Sequence, residues 1–134
     1  MPRQFEFIRT ENAPLELGNF SQAANIHGLI ISSGLAPVDP ATRRVVGSTT
    51  EDQFFVLLRH MDSILAEVGG TRADVVKVNI YAMNALDYNL VNTLFGDAFD
   101  HPWPCRGFHN LIAGDIPEWS SILIELDFIA YVGG

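Results

Sequence analysis

Thr50-Glu-Asp-Gln-Phe-Phe-Val-Leu-Leu-Arg-His-Met-Asp-Ser-Ile-Leu-Ala-Glu-Val-Gly-Gly70 is the stretch whose reading decides the fold. Phe54, Leu57, Leu58, Met61, Ile64, Leu65 and Val68 recur at helical spacing, which places them on one apolar stripe of a helix over Thr50 to Gly69. Thr50 and Gln53 stand at capping-box spacing at its start, and the glycine pair at its end can adopt the left-handed conformation that stops a helix. Ala73 to Met83, rich in Val and Ile, then reads as a strand. A helix feeding a strand in this way predicts a crossover connection, and hence sheet and helix packed in layers.

The flanking segments fill in the rest. Gln4 to Arg9 alternates polar and apolar residues and predicts a short strand with Phe5 and Phe7 on one face. Ser21 to Gly34 reads as a hairpin turning at His27-Gly28, its second strand ended by Gly34 and the turn residues Asp39-Pro40. On the other side, Val91, Leu94, Phe95 and Ala98 predict a second helix over Asp87 to Phe99, which His101-Pro102-Trp103-Pro104 cannot continue. Cys105 to Ile112 alternates as a strand, with Arg106, Phe108 and Asn110 on one side and Cys105, Gly107, His109 and Leu111 on the other. A turn at Gly114 to Pro117 leads to a last strand over Ser121 to Ala130, where Glu125 shares the less oily face with Leu123, Asp127 and Ile129.

The expectation is a single α+β domain spanning all 134 residues, with one sheet and two helices on one face. The other face must pack on something. Only 18% of residues are charged and 48% are apolar, which leaves little charge to keep a small globule's whole surface wet, so association with further copies is the simplest answer. Sixteen acidic residues against eight Lys and Arg give a net charge of −8, which repels phosphate backbones and anionic lipid and argues against a nucleic-acid or membrane partner. The one cysteine cannot form an internal disulfide, and the N-terminal residues lack the apolar core of a secretion signal, so the chain reads as cytoplasmic.

Two charged residues sit where apolar strands would otherwise run unbroken. Arg106 can hold a carboxylate through two parallel hydrogen bonds, and Glu125 can take a proton if partial burial raises its pKa. Against this stand a structural arginine paired with a nearby acid, and a glutamate paired with a cation at a subunit contact. Cys105 beside Arg106 has no His and acid at a recognisable spacing, which favours a packed thiol over a nucleophile. His27, His60, His101 and His109 show no metal-ligand spacing, and no glycine motif cradles a phosphate.

Phe20-Ser-Gln-Ala23, Ser33-Gly34, Val38-Asp-Pro40, Gln53, Asp74-Val-Val-Lys77, Val91-Asn92, Pro104-Cys-Arg106 and Ile124-Glu125 occur in an order and spacing that resembles the Rid family, also called YjgF or reactive-intermediate deaminases. The resemblance covers nearly the whole chain. It implies a chorismate-mutase-like fold and a homotrimer whose sheets form a central β-barrel, with clefts between subunits. It also implies cofactor- and metal-free hydrolysis of enamines and imines of the 2-aminoacrylate/2-iminopropanoate type. On this resemblance Arg106 clamps the substrate carboxylate and Glu125 directs the water. Phe20, Ser33, Leu35, Asn92 and Cys105 fall at cleft positions, and the backbone N–H of Phe108 meets the bound carboxylate or oxyanion.

The chain departs from the family pattern at four of these places. Phe20 replaces a common tyrosine, Leu35 a glutamine, Cys105 an alanine and Gly107 a serine or threonine. The departures predict a less polar wall and more room near Arg106, suited to a substrate longer than a three-carbon imine. A 2-aminomuconate-type deaminase is the alternative, with Arg9, Arg43, Arg44 or His109 to meet a second carboxylate. A non-catalytic ligand-binding or chaperone-like protein is the alternative from another class. Ribonuclease activity fits the negative charge least.

Overall fold

The computed structural model describes residues 4–15, 18–111 and 119–133. Strands β1 (Glu6–Ile8), β2 (Ala23–Ile26), β3 (Leu29–Ser32), β4 (Val75–Ala82), β5 (Cys105–Asn110) and β6 (Ile124–Tyr131) form one sheet in the order β1-β2-β3-β6-β4-β5. Helix α1 (Thr50–Ala66) follows β3, and α2 (Tyr88–Ala98) follows β4. Strand β6 runs antiparallel to both β3 and β4, so those two are parallel to each other, and β4 pairs parallel with β5. The two helices are therefore crossovers between parallel strands, stepping in the same direction across the sheet. Right-handed crossovers that step the same way put both helices on one face. The buried side chains agree: Phe54 and Leu57 of α1, Val91 and Phe95 of α2, Val78 and Ile80 of β4 and Leu126 and Phe128 of β6 belong to one cluster.

The opposite face carries no helix. Lys77, Asn79 and Tyr81 of β4 share it with Glu125 and Asp127 of β6, and all five are half-buried. Toward the β1 edge the same face turns apolar, with Phe7, Leu29, Ile31 and Tyr131 exposed. This is the uncovered face expected from the sequence. Among the described residues no helix is long and apolar enough to cross a membrane.

The elements fall where the patterning places them, with instructive shifts at their ends. The hairpin turns at His27 and Gly28, whose φ angles of 53° and 95° match the left-handed pair that a two-residue turn requires. Helix α1 is capped by Thr49 rather than Thr50, the Thr49 side chain accepting from Asp52 N. Gln53 is accordingly free of the capping role expected for it. It lies fully buried, donates through Nε2 to the carbonyls of Gly47 and Ser121, and accepts from Leu123 N at 2.7 Å. That capture explains why β6 starts at Ile124 and not at Ser121. The second helix likewise starts at Tyr88, after a single tight turn over Ala85–Asp87. The expected turn at Gly114 to Pro117 lies outside the described residues.

Replacing Gln53 by Leu keeps the volume but strands one N–H and two carbonyls. The variant is expected to lose about 2–4 kcal/mol in urea unfolding, and an unchanged midpoint would show that these bonds do not hold α1 to the start of β6. His60 provides a second check. It is buried on α1 with Nε2 2.9 Å from Val38 O and Nδ1 without a partner among the described residues, and burial lowers its pKa below the ordinary 6.5. The folded chain thus keeps the ring neutral, whereas the unfolded chain takes up a proton at higher pH. Stability is full above the ordinary value and declines as pH falls through it, so the melting temperature should drop between about pH 7.5 and pH 5.5, with a shallower slope in His60→Gln.

Candidate active site

Strand β5 is one of the two edges of the sheet, delivered from α2 by the Pro102-Trp103-Pro104 segment that no helix can include. Its pleat sends Arg106 to the helix-covered face. There the guanidinium Cζ lies 5.4 Å from the centre of the Tyr88 ring and 5.0 Å from that of Phe95, and Nη2 donates to the Tyr88 hydroxyl at 3.1 Å. The Phe108 ring meets Tyr88 edge-on at 5.1 Å. Among the described residues no carboxylate pairs with Arg106, so none of them ties it down as a structural arginine. A cation cradled by aromatic faces and left without a counter-ion is suited to receive an anion. It opens on a cleft of about 500 Å³ that Asn92 and Trp103 also line.

The backbone of β5 contributes as well. Leu111 N donates to Ala82 O, so by the two-residue alternation of a parallel ladder the N–H groups of Arg106 and Phe108 point away from β4, toward the free edge. The Phe108 N–H thus has the orientation that an anion held at the edge beside Arg106 would use.

Glu125 lies elsewhere. It stands opposite Tyr81 on β6, on the uncovered face, and Tyr81 stands opposite His109 of β5. Two strand spacings, about 10 Å, and the thickness of the sheet separate it from the side of β5 that carries Arg106. Its carboxyl makes no hydrogen bond or ion pair among the described residues, and burial raises its pKa above the ordinary 4.5. Beside it Asp127 accepts from Tyr81 Oη at 2.8 Å and from Asn79 Nδ2 at 2.9 Å. The bond to Asp127 pushes the Tyr81 pKa up to about 12, and the His109 ring stacks on Tyr81 at 5.1 Å.

The remaining sequence candidates divide between these regions. Phe20 is 54% exposed, and Ser33 Oγ donates to Ser21 O at 2.6 Å, pinning the segment just after Phe20 to the end of β3. That end lies three strand positions, about 14 Å, from β5. Leu35 is only 3% exposed, bridges to Leu126 and packs in the core, so within the single chain it offers a ligand little surface. Cys105 and Gly107 do not give Arg106 extra room either, because both project from the opposite side of β5. A Cβ on Gly107 would come within 2.6 Å of Asn79 Oδ1 and 2.7 Å of His109 Nε2, so a larger residue there would make these two side-chain ends on the uncovered face shift. Arg9, Arg43, Arg44 and His109 do not line the Arg106 cleft. Among the described residues no group of three or more His, Cys, Asp or Glu could hold a metal ion.

The sequence and the fold have counterparts among known proteins. Residues 10–132 match the model of the family described as Endoribonuclease L-PSP, the YjgF/Rid family. The chain belongs to this family. A RutC family protein of Pyrococcus abyssi is 32% identical over 94% of this chain and 96% of that one. The chloroplastic Reactive Intermediate Deaminase A of Arabidopsis thaliana is 33% identical over 90% of this chain and 63% of that protein. Among solved structures, the Rid family protein YyfA from Yersinia pestis superposes with a TM-score of 0.84 at 31% identity, covering 96% of this chain and 99% of that one. RidA from an Antarctic Psychrobacter gives 0.84 at 26% identity, covering 95% and 99%.

Within this Rid chain, sequence reasoning missed Tyr88, Trp103 and the Asn79-Tyr81-Asp127 network. The network was accessible in principle, since polar residues at every second position of β4 face Asp127. Tyr88 was not, because nothing local links it to an arginine eighteen residues away. Tyr88→Phe keeps the ring and removes only the hydroxyl from Arg106. It is expected to weaken binding of a small carboxylate such as pyruvate about three- to tenfold in calorimetric titration, with an unchanged melting temperature. Unaltered affinity would show that the hydroxyl does not orient the guanidinium.

Proposed function

We propose that the protein is a cofactor-independent hydrolytic deaminase of enamine or imine intermediates that carry a carboxylate. The observation that carries this reading is Arg106 in its aromatic bracket at a cleft, with no carboxylate partner among the described residues, in a chain that also presents at Glu125 a half-buried carboxyl of raised pKa. The Arabidopsis relative named for reactive-intermediate deamination supports it.

Arg106 and the Phe108 N–H hold the carboxylate next to the C=N carbon. Glu125, as carboxylate, takes a proton from water as the oxygen bonds to that carbon and the C=N electrons move to nitrogen. The resulting carbinolamine regains a proton on nitrogen, the C–N bond breaks, and the hydroxyl proton leaves as the carbonyl forms. The imine and one water become a 2-oxo acid and one ammonia, with no oxidant or reductant required.

We further infer a homotrimer in which Arg106 of one copy and Glu125 of another meet at the boundary. Their placement on opposite faces supports this reading, as do the uncovered sheet face with its exposed Phe7, Ile31 and Tyr131 and the distance of Phe20 and Ser33 from β5. The net charge of −8 speaks against RNA as the substrate.

Arg106→Ala and Glu125→Gln are each expected to reduce kcat/KM for freshly generated 2-aminoacrylate at least about a hundredfold while the oligomer survives in sedimentation. Unfolding and refolding the two variants together should restore part of the activity, since some clefts then combine an intact Arg106 with an intact Glu125. A site built within one chain would show no rescue. Because protonation removes the base and burial raises the Glu125 pKa, the acid limb of kcat/KM should fall at a pH above the ordinary glutamate value of 4.5 and vanish in Glu125→Gln. Wild-type turnover by Arg106→Ala would end the reading of Arg106 as carboxylate clamp, and absence of ammonia release by the wild-type protein from any such imine would end the deaminase reading.

A further inference from the structure

Trp103 presents a large aromatic face to the Arg106 cleft and is 54% exposed. Its one polar atom is already satisfied, Nε1 donating to Gly96 O at 3.3 Å, and the His101 ring braces it perpendicularly at 5.0 Å. The indole is thus held in place with its polar edge turned into the protein and apolar surface left toward the cleft. Pro104 and Phe95 extend the apolar lining on the way to Arg106, and a Cβ at Gly96 would meet nothing within 4 Å, so the floor between them is open. A cleft of about 500 Å³ far exceeds what a three-carbon acid fills and falls in the range that encloses a ring-bearing ligand.

The charges narrow the ligand further. Among the described residues of one chain, Arg106 is the cation on this lining and Asp97 its anion, and none of Arg9, Arg43, Arg44 or His109 of that chain lines it. A second carboxylate would share this lining with Asp97 and, under the proposed association, with Glu125 of another copy, whereas an uncharged flat group would lie on the indole.

We propose that Trp103 is a specificity-determining residue, and that the cleft takes a monocarboxylate whose far end is a flat unsaturated or aromatic group stacked on its indole. The inference rests on the reading of Arg106 as carboxylate clamp and adds the substrate class. Imines of aromatic or conjugated 2-amino acids then belong to the protein's substrates, and dicarboxylates do not.

Calorimetric titration with three carboxylates tests this without depending on turnover. Crotonate and cinnamate share the conjugated carboxylate and differ in methyl against phenyl, while fumarate adds a second carboxylate. Cinnamate should bind about tenfold more tightly than crotonate, and fumarate no more tightly than crotonate. Trp103→Ala should abolish most of the cinnamate advantage while changing crotonate less than about twofold, and Trp103→Phe should keep most of it. Arg106→Ala should lose both ligands. If Trp103→Ala and Trp103→Phe both retain the wild-type ratio of cinnamate to crotonate, or if fumarate binds more tightly than crotonate, the inference is overturned while the clamp stands. If Arg106→Ala binds cinnamate like wild type, the clamp reading itself falls.

Discussion

A strand shows its side chains to alternate faces, and a sheet whose helices all lie on one side turns that alternation into a division of labour. In this protein β4 and β6 commit every second residue to the core under α1 and α2, and the residues between them to the uncovered face. The same alternation on β5 sends Arg106 toward the helices and Gly107 and His109 away from them. The two residues with the clearest chemical character, Arg106 and Glu125, therefore belong to opposite sides of one sheet. A rigid chain cannot bring them to a common small ligand, which is the constraint that the proposed association of copies answers.

Each side is prepared differently. On the helix side the cation lies against the Tyr88 and Phe95 rings, which attract it weakly and desolvate it partly, while the Tyr88 hydroxyl takes one of its hydrogen bonds. On the uncovered side Asp127 collects the donors of Tyr81 and Asn79, and Glu125 next to it has no partner among the described residues. A carboxylate without donors loses water on burial and gains nothing in return, which is why its proton is held more tightly. Gly107 belongs to this side, keeping the space that Asn79 and His109 occupy.

Much of the fold was legible because the signals that specify it are local and periodic. The stripe of α1, the His27-Gly28 turn, the prolines before β5 and the alternation of β6 each act over a few residues. Where the reading shifted, a distant group intervened. Gln53 has capping spacing with Thr50, yet partners at Gly47, Ser121 and Leu123 hold it, and Thr49 takes the cap. Leu35 sits among family cleft positions, yet its bridge to Leu126 draws it into the core.

The amino-acid order alone determined the α+β class, both helices, the hairpin, the single uncovered face and the identities of Arg106 and Glu125, since periodicity and residue chemistry need no knowledge of distant neighbours. Only the tertiary structure decided that Arg106 rests on Tyr88 and Phe95, that Trp103 shares its cleft, that Asp127 rather than Glu125 takes the Tyr81 hydroxyl, and that the two chemical halves lie apart. Those facts depend on which strands become neighbours. Strand β6, last in the chain, enters between β3 and β4, and that pairing across the sheet is written in no single segment.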